Sequence, residues 1–261
     1  MLTIKPATEW KPDTEGAFSL PEAVYRAAPG LNYSILKLID QSPQHCRQAQ
    51  LYPEADTPSR RYLRGVHCAV LEPARFNEEH SVGKCPGKVA LTELQATRIN
   101  GIQQAVKRCH ELNKIIAYGK TEVSIFAMDP TWNVMTKARI DILAFDIDDT
   151  AYEYDLKNCG DARIKEFYWQ VKKRNWIEQR AFYRDRLKIL GVKQVRSAIV
   201  PIEDDAPHGI TIYPIDEPDL NKARERYNQW MEIYCQCLKK GEWPGYPEYS
   251  RFERPNSGGD Y

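Results

Sequence analysis

The sequence predicts an α/β sandwich built around a mixed sheet. Three observations carry this: helical apolar spacing over residues 32–117, strand-like runs over 121–156, and a return to helix, strands and helix up to residue 240. The chain has 261 residues, 42% of them hydrophobic, and a net charge of +1. That is enough apolar material for one large domain, or one domain with a small appendage, and it excludes a disordered or wholly basic chain. Any affinity for a polyanion must then come from local patches.

Residues 1–30 are rich in Pro, Thr and Glu and read as an N-terminal arm, extended and partly ordered at best. A helix begins at Asn32, with Leu36, Leu38 and Ile39 as its apolar stripe, and Ser42-Pro43 stops it. Residues 51–59 read as a loop, Arg60 to Leu71 as a second helix ended by Glu72-Pro73, and 77–90 as irregular chain. A long helix from Thr92 to Ala117 buries Ile99, Ile102, Val106, Cys109 and Ile116. The period then changes. Thr121–Met128, Asn133–Phe145 and Ala151–Leu156 read as strands of a meander, with Asp129-Pro130 as a turn. Helices follow over Asp161–Trp169 and Lys172–Leu190, strands over Gln194–Ile202 and Gly209–Tyr213, and a closing helix over Glu217–Lys240. Leu220, Tyr227, Met231, Tyr234 and Leu238 line one side of that last helix. The domain is expected over 31–240, with 241–261 as an irregular tail.

The seven cysteines are scattered and form no CxxC pair, which argues against a disulfide framework, a cysteine-rich zinc site or a four-cysteine iron–sulfur cluster. A reducing cytoplasm is the expected setting. The first residues, MLTIKPATEWKPD, carry no apolar core of a signal peptide, and no stretch approaches the roughly 18 apolar residues of a membrane span.

The chemistry lies between Arg139-Ile-Asp141 and Asp155-Leu-Lys157. Asp141 interrupts an apolar strand, and Asp155 and Lys157, two apart on the next strand, share a face that Asp141 can reach. Carboxylates buried in a sheet are costly unless a cation compensates them, and a hard divalent ion such as Mg²⁺ suits oxygen ligands. Such an ion activates water against a phosphate ester, with Lys157 orienting the water or neutralising the phosphate. The plainer alternative is a structural Asp–Lys ion pair at a strand end, since this spacing also arises by chance.

Four blocks in order resemble a known family, the RecE-like (exodeoxyribonuclease VIII) branch of the PD-(D/E)xK nucleases, related more distantly to lambda exonuclease and RecB-type nuclease domains. They are Asn32-Tyr-Ser-Ile-Leu36 through Ser42-Pro43-Gln-His45; Gly65-Val-His67 through Leu71-Glu-Pro73 and Phe76; the Asp141/Asp155/Lys157 core; and Trp176 to Tyr183 with Gln179 and Tyr183 in a Q-x-x-x-Y arrangement. Many relatives have Pro where Ile140 stands and Thr where Asn158 stands. The resemblance implies a restriction-endonuclease-like core, a central mixed sheet flanked by helices. It implies His67, Asp141, Asp155 and the Leu156 carbonyl as metal ligands, Lys157 as the catalytic lysine, and Mg²⁺ as cofactor with Mn²⁺ substituting. His67 as an ordinary helix histidine is the alternative. Glu122 is a second-metal or water-positioning candidate, or a solvent-facing glutamate. Gln179 and Tyr183 share a helix face and are candidates to touch water or phosphate, although core packing competes for Tyr183.

From Lys157 to Arg196 twelve Lys/Arg face four Asp/Glu. A solvated helix face is one reading. The other is a phosphate-tracking groove, with Lys172, Lys173, Arg174 and Arg180 as DNA contacts. The resemblance further implies 5′→3′ removal of mononucleotides from linear duplex ends, leaving 3′ overhangs for strand annealing. It also implies a single-strand-annealing partner protein, a cyclic homo-oligomer and a phage origin. A nuclease-dead end-binding scaffold and a nuclease of other polarity are the rival readings.

Overall fold

The computed structural model describes residues 2–53 and 55–251. Strands β1 (Ile4–Pro6) and β2 (Gly16–Ser19) precede helix α1 (Glu22–Ala27) and strand β3 (Leu31–Asn32). The segment expected as a loose arm therefore belongs to the sheet. β1 pairs with β2, β2 adds to the strand bearing Phe126, and Phe18, Leu20 and Ala28 bury around Phe126. The Lys137 ammonium donates to the carbonyls of Tyr25, Arg26 and Ala28 at 3.0, 3.2 and 2.5 Å. It thereby satisfies the open end of α1 and ties it to the sheet. Those partners are more than 100 residues away in sequence, which is why local patterning missed them.

Ser42-Pro43 separates two helices rather than only ending one. After α2 (Tyr33–Leu36) and a short 3₁₀ turn, Ser42 caps α3 (Pro43–Leu51), accepting from the His45 N–H, with Pro43 in the first turn. Thr57-Pro58 repeats the device at α4 (Pro58–Leu71), and Pro73 opens α5 (Pro73–Glu79). The stretch expected as irregular holds a small strand pair, β4 (His80–Val82) and β5 (Val89–Leu91). The long helix is two, α6 (Glu93–Arg108), opened by a Thr92/Gln95 capping box, and α7 (His110–Tyr118), broken at the extended Cys109.

The meander follows as β6 (Lys120–Asp129), β7 (Val134–Phe145) and β8 (Ala151–Cys159), then α8 (Ile164–Arg174), α9 (Trp176–Ile189), β9 (Val195–Glu203), β10 (Tyr213–Pro214) and α10 (Glu217–Lys240). The break between α8 and α9 falls at Asn175, whose left-handed φ of 55° ends one helix and begins the next. The sheet runs β1-β2-β6-β7-β8-β9-β10, with β3 paired to β7; β6, β7 and β8 are antiparallel neighbours and β8–β9 is parallel. A mixed sheet between helical layers is the predicted class.

Two cores flank it. α2, α9 and α10 pack Tyr33, Phe182, Leu187, Tyr227 and Met231 on Val123, Ile125, Ala138 and Ile140. On the other face α4, α6 and α7 pack Val66, Ile99, Ile102 and Leu112 on Ile142, Leu156 and Val200. Regular alternation would send Ile140 and Ile142 to the same face, so the change of core between them marks an irregularity at Asp141. Among the described residues no helix is long and apolar enough to cross a membrane.

Candidate active site

The irregularity at Asp141 is visible on both sides of β7. The β6–β7 ladder pairs Thr121 with Ile142 and Val123 with Ile140 but skips the pair between them, Glu122 and Asp141. Glu122 there has φ +55°, a conformation that costs a bulky residue of order 1–3 kcal/mol and persists only when its surroundings hold it. On the other side, β7 pairs with β8 from Phe145/Ala151 to Ile142/Tyr154 and stops. One step further would oppose Asp141 to Asp155. The strands splay there instead, and the Leu156 N–H donates to Asp141 Oδ2 at 2.8 Å. Three acids thus gather where ladder hydrogen bonding fails.

Asp155 and Lys157 project together, as alternation requires, and form an ion pair. Lys157 Nζ also donates to Gln179 Oε1 at 3.3 Å, and Gln179 Nε2 donates to the Tyr183 hydroxyl at 3.3 Å. One turn of α9 therefore carries the contact from the lysine to Tyr183, which is buried but lines the cleft. The Lys157 ammonium lies 5.3 Å from the Trp176 ring centre, a cation–π contact.

From α4, His67 places Nδ1 3.6 Å from Asp141 Oδ2. Ligand atoms of His67, Glu122 and Asp141 all lie within 4.8 Å of one another. The Glu122 carboxylate is held by Arg139, which also donates to Ser124 Oγ and the Leu20 carbonyl, both at 2.9 Å. These residues open into a cleft of about 860 Å³ between α1, α4 and the sheet.

The electrostatics separate the two aspartates. Burial pushes the Asp141 carboxyl up to about 6; the His67 side chain opposes this and the Asp155 and Glu122 carboxylates add to it. Burial also acts on Asp155, but the Arg180 guanidinium and the Lys157 ammonium outweigh it and hold that carboxyl below its ordinary value. Asp155 is thus neutralised by protein cations, whereas Asp141 has the Leu156 amide and an imidazole. An imidazole and two carboxylates are a donor set that fits a divalent ion, and 3.6 Å is a spacing two ligands of one ion adopt.

Arg180 is not on a DNA-facing surface. It is fully buried beneath the site, 2.5 Å from Glu153 Oε2 and 2.9 Å from Asp155 Oδ1, with its guanidinium 4.5 Å from the Tyr183 ring centre. It shares a helix with surface residues, but that helix is covered by the sheet on one side and α10 on the other, and two buried carboxylates demand a cation. Lys172, Lys173 and Arg174 are exposed in the last turn of α8. The sequence reading missed Glu153 and Arg139. Both carried a signal: each sits two residues before an aspartate of the core, on the same strand face.

No curated protein sequence matches the chain. The fold matches the crystal structure named "putative exonuclease" from Eubacterium rectale, with a TM-score of 0.66 at 13% identity over 92% of this chain and 96% of that one. A phage-related exonuclease from Haemophilus somnus 129PT is a looser likeness, with a TM-score of 0.35 and 12% identity over 82% of this chain and 98% of that one. The profile of one family matches residues 32–255, from the Asn32 helix cap through the splayed strands to beyond α10, and the chain belongs to that family, the PDDEXK-like domain of unknown function DUF3799.

Proposed function

We propose that the chain is a divalent-metal-dependent exonuclease acting on the ends of linear double-stranded DNA. The carrying observation is the convergence of Asp141, Asp155 and Lys157 on the open fork between β7 and β8, beside His67 and Glu122. His67, Glu122 and Asp141 would hold the ion; the Asp155 carboxylate and the Leu156 carbonyl are the further oxygen donors that the RecE-like resemblance implies. Mg²⁺, with Mn²⁺ substituting, supplies water of lowered pKa and a counter-charge for the phosphate.

The protein's own groups do the rest. Asp155 fixes the Lys157 ammonium at the fork, and Gln179 fixes it from the other side, which leaves one N–H for a group bound at the fork. There it orients the attacking water or neutralises a phosphate oxygen. Water oxygen bonds to phosphorus, and the bond from phosphorus to the leaving nucleotide oxygen breaks. Lys172, Lys173 and Arg174 contact phosphates without reading sequence.

The RecE-like resemblance of the sequence supports the finer reading: 5′→3′ digestion to mononucleotides, 3′ overhangs for recombination by strand annealing, an annealing protein as partner, a ring-shaped homo-oligomer and a phage origin. The test is a duplex labelled separately at its 5′ and 3′ ends, incubated with Mg²⁺ beside a covalently closed circle. Early release of 5′ label with the circle intact is expected. Equal loss of the circle indicates an endonuclease, and binding without turnover in either Mg²⁺ or Mn²⁺ indicates an end-binding scaffold.

A further inference from the structure

Helix α8 has two apolar faces where a surface helix ordinarily has one. Phe167 and Val171 bury against Cys159, Ala162 and Ile199. On another side Ile164, Tyr168 and Trp169 stand 54, 42 and 45% exposed. With Lys165 and Lys172 they fall at i, i+1, i+4, i+5 and i+8, one stripe roughly 12 Å long. Lys172 Nζ lies 5.4 and 6.0 Å from the Tyr168 and Trp169 ring centres, and the two rings meet edge to face at 5.4 Å. The stripe has a direction. The helix ends at Lys173-Arg174, Arg174 packs on Trp176, and Trp176 is the ring beside the catalytic Lys157. Glu166 is the one acid of the helix.

We propose that this stripe of α8 binds an unpaired nucleic-acid strand, whose bases stack on Trp169 and Tyr168 while Lys165 and Lys172 neutralise its phosphates. The chemistry fits few other occupants. Exposed aromatic rings interleaved with lysines match a polyanion that also presents flat apolar faces. A duplex hides those faces inside its stack, so the occupant is single-stranded. Rings displayed for stacking contribute little to folding, which accounts for two large aromatic side chains half-exposed on a helix that already buries Phe167 and Val171 on its other side. The inference rests on the nuclease reading for its biological meaning, since a strand held here runs toward Lys157, but the binding itself is measurable without turnover.

The experiment uses the full chain in EDTA with a fluorescent single-stranded oligothymidylate and a duplex of equal length, followed by anisotropy. For the Tyr168→Ala/Trp169→Ala variant, single-strand affinity is expected to fall at least tenfold, because losing one base–aromatic stack is worth roughly 5- to 150-fold. Duplex affinity should change far less, and Tyr168→Phe/Trp169→Phe should restore single-strand binding. Unchanged single-strand affinity in the alanine variant, or an equal loss on both ligands, overturns the proposal. So does a change in molar mass by light scattering between wild type and the alanine variant, which would make the stripe a contact between copies of the chain. Wild-type hydrolysis of bis(4-nitrophenyl) phosphate with Mn²⁺ scores the chemistry separately. No hydrolysis alongside strong, ring-dependent single-strand binding sinks the nuclease reading and keeps this one.

Discussion

The carboxylate of Asp141 accepts the hydrogen bond that the Leu156 N–H would otherwise give to a ladder carbonyl. Its Oδ2 accepts from the Leu156 N–H at 2.8 Å where β7 and β8 part. The fork is thereby kept open without leaving an orphaned amide, and a charge is committed to its apex.

That commitment is costly without an ion. With its carboxyl at about 6 against an ordinary 3.8, Asp141 keeps its proton in the native state between those two pH values while the unfolded chain has lost it. Stability without metal therefore falls as pH rises from about 3.8 to 6, by up to about 3 kcal/mol, and stays low above. Asp141→Asn keeps an acceptor for Leu156 and removes the charge. In EDTA at pH 7 its melting temperature should rise by a few degrees, read by calorimetry. Turnover should fall at least 10²-fold, on the order expected for losing a transition-state interaction. A lower melting temperature in EDTA would sink this account.

Metal binding has the opposite pH dependence. The ion requires ionised Asp141, so Mn²⁺ affinity by calorimetric titration should drop about tenfold per pH unit below about 6 and level off above it. Asp141→Asn should flatten that slope.

Lys157→Ala should lower turnover roughly 10²–10³-fold while leaving DNA affinity in EDTA nearly unchanged. Gln179→Ala removes one of the groups that fix the ammonium, and a loss of roughly tenfold is expected, the low end of the about 1.5–3 kcal/mol of a charge-assisted bond because this one is long at 3.3 Å. Single-turnover kinetics separates the two. Equal losses would argue that Gln179 acts on the substrate itself.

Arg180→Met leaves Glu153 and Asp155 buried without their shared cation, a change that typically costs about 3–5 kcal/mol. Denaturant unfolding should show that loss, together with lost activity. The Lys172→Ala/Lys173→Ala/Arg174→Ala variant should behave in reverse: unchanged stability, and a salt dependence of duplex binding shallower by up to about 2.7 log units per log of salt. If Arg180→Met alters the salt slope at full stability, the residue belongs on the DNA surface after all.

The contrast between these arginines and lysines shows where sequence reading stops. Lys172, Lys173 and Arg174 were legible as exposed cations because they follow one another at a helix end, and no single side of a helix can bury three consecutive positions. Arg180 carries the same charge on the next helix, and nothing local distinguishes it. Its fate is decided by Glu153, 27 residues away on a strand it meets only in the folded chain.

What the sequence by itself determined was set by near neighbours: the strands of the meander, the closing helix, the shared face of Asp155 and Lys157, and the pairing of Gln179 with Tyr183. Periodicity encodes these because backbone geometry fixes which residues lie side by side within a few positions. Only the tertiary structure decided that β1 and β2 complete the sheet, that Glu122 faces Asp141 across a broken ladder, and that Arg180 lies beneath the site rather than outside it. Those outcomes depend on register between strands and on desolvation, and both come into being only when distant segments exclude water together.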